Sequence, residues 1–170
     1  KTQPGKALIV GMSREICARL YNEIVDLKPE WKDSDHMKGS VKVVMTASAS
    51  ESELLQPHHT SKQQKKDLEN RFKDPNDPLK IVLVRDMWLT GFDAPCLATM
   101  YVDKPMKGAN LAQAIARVNR VFKDKPGGLI VDYIGFSPQL KEALATYTGD
   151  RGTGKPALDI EEALLTVSYT

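Results

Sequence analysis

Apolar residues along this chain come in short unbroken runs, separated by stretches in which they recur at helical spacing. Lys6-Ala-Leu-Ile-Val10 ends in Gly11 and reads as a buried strand. Ser13 is suited to cap the following helix, along which Ile16, Leu20, Ile24 and Leu27 recur until Pro29 stops it. Val41 to Thr46 reads as a second strand, and the polar stretch Ser48 to Ser61, with Pro57, as a loop. Lys62 to Lys73 is a charged, exposed helix with Leu68 and Phe72 on one side. Asp74-Pro-Asn-Asp-Pro78 is a turn, leading to a third strand over Leu79 to Val84. Thr99 to Val102 is a short fourth strand, Asn110 to Asn119 a helix, Gly128 to Tyr133 a fifth strand and Pro138 to Thr146 a last helix.

Strands therefore alternate with helices, and three of the strands lack in/out alternation. That pattern predicts an α/β domain built on a parallel sheet with helices on both faces. From Tyr147 the composition changes. Thr148-Gly-Asp-Arg-Gly-Thr-Gly-Lys-Pro156 has the content of a linker, and Asp159 followed by Glu162 resembles a capping box opening a new helix. The expected division is a domain over 1–146, with a linker and the start of a helical region over 147–170.

Composition narrows this only a little. A length of 170 residues suffices for one domain with a full core. No apolar run approaches the roughly 20 residues needed to span a membrane. The opening Lys1-Thr-Gln-Pro-Gly5 lacks the apolar stretch of a signal peptide, so a cytoplasmic protein with no membrane partner is expected. The net charge of +2 decides nothing, so nucleic-acid binding has to be argued from where basic residues lie. Cys17 and Cys96 sit in apolar settings without zinc-ligand spacing and are expected to be buried free thiols; no metal site is expected within the chain.

Three segments carry candidate chemistry. In Gln113-Ala-Ile-Ala-Arg117-Val-Asn-Arg120, helical geometry aligns Gln113, Arg117 and Arg120 within roughly 60° of arc at about 100° per residue. Leu111, Ala114, Ile115 and Val118 fall on the opposite side, and the helix has no acid to pair with either arginine. The stripe is either an ordinary basic surface or a phosphate-directed one, for which guanidinium is the fitting group. The second segment, Val84-Arg-Asp-Met-Trp-Leu-Thr-Gly-Phe-Asp-Ala-Pro95, leaves the third strand at the end where open parallel sheets bind ligands. There Gly91 permits close backbone approach, Thr90 offers a hydroxyl and Asp93 could accept from a ribose hydroxyl; a plain strand-to-turn exit is the competing reading. The third segment, Gly11-Met-Ser13-Arg14, lies at a helix N-terminus, where it is either a simple cap or a phosphate contact.

In this order the segments resemble motifs four, five and six of superfamily-two helicases. Gln113, Arg117 and Arg120 match the Gln-x-x-x-Arg-x-x-Arg motif, and Gly91-Phe-Asp93 matches Gly-x-Asp. Longer runs, notably Arg71 to Pro78, Val84 to Pro95 and Gln113 to Phe122, are similar to the restriction (R) subunit of type I restriction–modification enzymes. The resemblance covers most of the chain to about Tyr133 and is weaker in the Ser48 to Ser61 loop and the linker.

The resemblance implies a RecA-like fold, the second of two motor domains of a DNA translocase. It further implies that Arg117 and Arg120 are arginine fingers for an ATP·Mg²⁺ held mainly by the preceding RecA-like domain, with Gln113 ordering the cleft. Gly91 and Asp93 would face the nucleotide, and Ser13, Arg14, Arg85 and Thr90 the DNA phosphates. Implied partners are double-stranded DNA, the preceding RecA-like and nuclease domains of the same subunit, and the modification and specificity subunits. On this reading the isolated chain is inactive, and the full subunit is an ATP-dependent site-specific deoxyribonuclease. The alternatives are a motor domain of another superfamily-two helicase, or a Rossmann-like small-ligand domain, against which the single Gly11 after the first strand counts.

Several features mislead. Gly149 to Lys155 begins like a P-loop, but Pro156 replaces the Mg²⁺-ligating hydroxyl and no apolar strand precedes it. Asp33-Ser-Asp-His36 reads as a loop, His58-His59 as a solvated pair without a third ligand, and Lys62-Gln-Gln-Lys-Lys66 as a solvated helix face or a DNA-backbone contact.

Overall fold

In the computed structural model, residues 5–46, 52–89, 91–106, 108–118 and 128–135 are described. The helix expected over Pro138 to Thr146, the linker, Thr90 and Arg120 lie outside them. Strands β1 (Lys6–Gly11), β2 (Val41–Val44), β3 (Ile81–Val84), β4 (Leu97–Asp103) and β5 (Leu129–Asp132) form one parallel sheet in the order β2-β3-β1-β4-β5. Helices α1 (Arg14–Leu27), α2 (Lys62–Lys73) and α3 (Gly108–Val118) cover its two faces. The expected parallel α/β architecture is therefore what the chain adopts.

The faces follow from the direction of travel. From β1 the chain moves toward β2, and α1 buries Cys17, Ala18, Tyr21 and Val25 against Val41, Val43 and Leu83 on one face. Every later connection moves the other way and uses the opposite face, where Leu68 and Phe72 of α2 and Leu111, Ala114 and Val118 of α3 pack on Leu8, Val10, Val82 and Met100. Opposite travel on opposite faces is what a single hand of crossover demands. The connection from β3 to β4 skips over β1 and has no helix among its described residues. Residues 85–89 and 91–96 instead lie between α2 and α3 as irregular chain, burying Trp88, Leu89, Phe92, Ala94 and Cys96.

One sequence reading is refined here and one corrected. Of the residues that recur at helical spacing along α1, Ile16, Leu20 and Ile24 are only partly buried. Leu27 is 79% exposed, and the small residues Cys17 and Ala18 with Tyr21 and Val25 take the core positions instead. Close approach of α1 to the sheet favours small side chains, which a stripe of large apolar residues does not reveal. His58 is also not a solvated residue. It sits in a 3-10 turn (Gln56–His58), half-buried, with its ring edge-on to Tyr21 at 4.7 Å. Burial, with lesser help from His59 and Lys42, lowers its pKa to about 4.

At the amino ends of the strands lies a buried polar clamp. Arg71 of α2 donates to both carboxylate oxygens of Asp77, at 3.1 and 3.0 Å, and to the carbonyls of His36, Lys38 and Gly39. Buried Lys42 donates to the carbonyls of Asp33 and Asp35, and buried Lys6 to that of Arg71. Asp77 also accepts from the Leu79 amide at 2.8 Å. The Arg71 to Pro78 run is thus explained as structure: it ties α2, the 33–39 loop and the start of β3 together. Cys17 and Cys96 are both buried free thiols, donating to the carbonyls of Val84 and Phe72.

Candidate functional site

Helix α3 presents its two faces as its periodicity predicts. Leu111, Ala114 and Val118 are buried, whereas Gln113 is exposed and Arg117 half-buried. Buried Met106 anchors the chain just ahead of the helix, and Gly128 approaches its last turn so closely that a Cβ there would collide with Val118. The guanidinium of Arg117 is tied to the crossover segment: its Nε donates to the Leu89 carbonyl at 3.0 Å.

Two left-handed residues stand among those described in the crossover. Gly91 has φ 68°, an easy conformation for glycine. Trp88 has φ 66°, which costs a bulky residue on the order of 1–3 kcal/mol. Packing holds Trp88 there: its ring stacks on Phe92 with centroids 4.5 Å apart and planes within 5°, and both rings lean on Phe72 of α2. Such aromatic contacts contribute about 0.5–1.5 kcal/mol each beyond burial. Lys73 Nζ lies 5.2 Å from the Phe92 centroid, adding a cation–π contact.

Between crossover and α3 opens a recess of about 310 Å³, lined by Gly91, Phe92, Asp93, Gln113, Ala116 and Arg117. It brings together four of the expected nucleotide-facing residues, with Asp93 and Arg117 placing opposite charges on its walls. The recess opens between the crossover and α3, whose buried face packs on the same side of the sheet as α2. A second recess, of about 800 Å³, lies on the far side of Gly91 and Phe92, where Lys62, Lys65 and Lys66 of α2 face Asp86, Met87 and Trp88.

The residues expected to meet DNA lie elsewhere. Val10 of β1 pairs with Val84 of β3, so Ser13, Arg14 and Arg85 all follow the carboxyl ends of neighbouring strands. β1 sends its chain to the α1 face and β3 to the other, making this a switch point of the sheet. Ser13 is engaged as the cap of α1, its hydroxyl accepting from the Ile16 amide at 3.1 Å. Arg14 Nη1 donates to the Thr46 carbonyl at 3.0 Å. Exposed Arg85 pairs with Asp86 at 3.2 Å, and Lys104 pairs with the same carboxylate while reaching toward the Arg85 carbonyl. Motif reasoning passed over Lys104, which pairs with Asp86 beside Arg85, and Trp88, which stacks on Phe92. The signal for Trp88 was present, since Met87-Trp-Leu89 is unusually apolar for a strand-exit loop.

A family profile described as type I restriction enzyme subunit R domain 3 matches residues 16–135. The chain belongs to that family. This R-subunit domain is also 58% identical, over 92% of its length, to the type I restriction enzyme HindI endonuclease subunit of Haemophilus influenzae. It spans 15% of that relative's length. Among solved structures, the fragment of a putative HsdR subunit of a type I restriction enzyme from Vibrio vulnificus YJ016 superposes with a TM-score of 0.53 at 16% identity, over 79% of this chain and 24% of that one. The C-terminal domain of the DEAD-box protein Dbp5 superposes with a TM-score of 0.57 at 17% identity, over 98% of this chain and 83% of that one. At such identities the likeness concerns fold, and the fold is that of a RecA-like helicase C-terminal domain. The R-subunit domain has no described helix long and apolar enough to cross a membrane.

Proposed function

We propose that this domain is the second motor half of a DNA-translocating type I restriction subunit and completes an ATP site begun by the preceding RecA-like domain. The observation that supports this most is the convergence of Arg117, Gln113, Gly91 and Asp93 on one recess of a domain whose family is that of R subunits. The residues fit half of a nucleotide site. A guanidinium suits phosphate charge, a carboxylate suits sugar hydroxyls, and left-handed Gly91 lets backbone approach a ligand. Among the described residues no group of three His, Cys, Asp or Glu stands together to hold a metal, and the proposal assigns Mg²⁺ to the preceding domain.

In this reading Arg117 stabilises charge on the transferring phosphoryl group when the two domains close, and Arg120, two positions beyond α3, acts beside it. Asp93 orients the nucleotide through its sugar. Ser13, Arg14 and Arg85 form a DNA-backbone contact at the carboxyl edge, where phosphates are gripped without reading sequence, and Thr90 is assigned to the same contact from its motif alone. Closure at one site alters grip at the other, so hydrolysis can drive stepping. The modification and specificity subunits and the nuclease domain complete the assembly, and this chain alone is inactive.

The test is Arg117→Ala in the full-length subunit. ATP hydrolysis is expected to fall by about a thousandfold or more, the scale of an arginine finger, with DNA binding retained. Normal hydrolysis by that variant would refute the assignment.

A further inference from the structure

We propose that Trp88 is a positioning residue for Arg117: its ring, stacked on Phe92, holds a left-handed turn whose following carbonyl, at Leu89, fixes the arginine in the recess. The inference rests on the nucleotide-site reading above but concerns a residue to which that reading gives no role.

The argument is geometric. Arg117 Nε is held by Leu89 O at 3.0 Å, so the direction of that carbonyl sets where the guanidinium lies. The direction depends in turn on the backbone at Trp88, whose φ of 66° turns the peptides that follow it. A non-glycine residue relaxes out of this region unless its surroundings hold it. The surroundings here are aromatic. Trp88 and Phe92 are parallel at 4.5 Å, and Phe72 braces them at 5.5 and 6.0 Å, with Phe72 and Phe92 further fixed by Lys6 and Lys73 over their rings. Phe92 lies between Gly91 and Asp93, so the same stack also sets the wall opposite Arg117. A flat ring at position 88 thus acts on both sides of the recess while contributing no atom to its lining.

This makes a ring plane, rather than apolar bulk, the requirement at position 88. Trp88→Phe keeps a ring, and Trp88→Leu keeps bulk without one, while both retain a Cβ in the left-handed region. In the full-length subunit, Trp88→Phe is expected to hydrolyse ATP within about threefold of the parent. Trp88→Leu is expected to lose about tenfold in kcat, since misplacing a catalytic group by an ångström can cost up to about a hundredfold. Its KM for ATP is expected to move less than about twofold, because the group lost acts on transferring charge rather than on uniform binding.

The effect should also run through the arginine. In an Arg117→Lys background, which lacks the Nε donor, Trp88→Leu is expected to cost less than about twofold more; independent losses that multiply would overturn the proposal. So would a Trp88→Leu enzyme with parental kcat, or a Trp88→Phe enzyme as impaired as Trp88→Leu. If Trp88→Leu fails to fold, Trp88→Met, which keeps flexible bulk without a ring and does not touch the recess lining, must give the same split between kcat and KM. Should Arg117→Ala hydrolyse ATP normally, the reading of the site itself has failed and this inference falls with it. Should Arg117→Ala be dead and Trp88→Leu unimpaired, only the role of Trp88 is rejected.

Discussion

Arg71 shows how a single side chain can be diagnostic in sequence and yet remote from chemistry. Its guanidinium is buried, with a bidentate carboxylate and three carbonyls as partners, and no described part of it approaches the recess beside α3. Removing it strands those acceptors in a dehydrated setting. Arg71→Met is therefore expected to destabilise the fold by about 3 kcal/mol or more, measured by urea denaturation. A loss below about 1 kcal/mol would mean that water readily takes over the clamp. His58 carries a second residue-scale expectation. Its folded pKa is about 4, below the ordinary histidine value, so the unfolded chain binds the proton more readily. Stability from neutral His58 is fully present above about pH 6.5 and is lost as pH falls toward 4. His58→Gln should flatten the dependence of the denaturation midpoint between pH 7 and 5; an unchanged slope would place the proton uptake on another group.

At the scale of elements, α2 and α3 were legible because their signals are local. Ser61 and Gln64 form a capping box, and the Leu68 and Phe72 spacing fixes the inward face of α2, so its bounds emerge as expected. The polar stripe of α3 was equally plain, and Gln113 and Arg117 do share the outer side. What sequence periodicity does not carry is the path of residues 85–96. That segment has no repeat, its two left-handed residues include a tryptophan that no propensity would place there, and its route depends on packing against two helices distant in sequence. The recess gathers Gly91, Asp93, Gln113 and Arg117 only through that path, which no local signal encodes. Gly128 offers a test of how tightly α3 is docked. Gly128→Ala would drive a methyl group into the Val118 side chain and carbonyl, and is expected to cost about 1–3 kcal/mol as the last turn, with Arg117, moves aside. Parental stability in that variant would show the approach to be looser than described.

For the molecule as a whole, the order β2-β3-β1-β4-β5 separates two kinds of candidate contact. The capped start of α1 and the exit from β3 share the carboxyl edge, whereas Asp93, Gln113 and Arg117 line the recess beside α3. In the function proposed above the first is a DNA track and the second half of a nucleotide cleft. Neither reading could have come from net charge, which is nearly balanced.

One unbroken length of chain, from Arg85 to Asp93, begins at the first of these places and ends at the second. Lacking the hydrogen-bond ladder of a helix, it resembles a cord stretched between two posts, with an aromatic knot partway along. Were the proposed motor role correct, these few residues would be the shortest covalent route between its two grips.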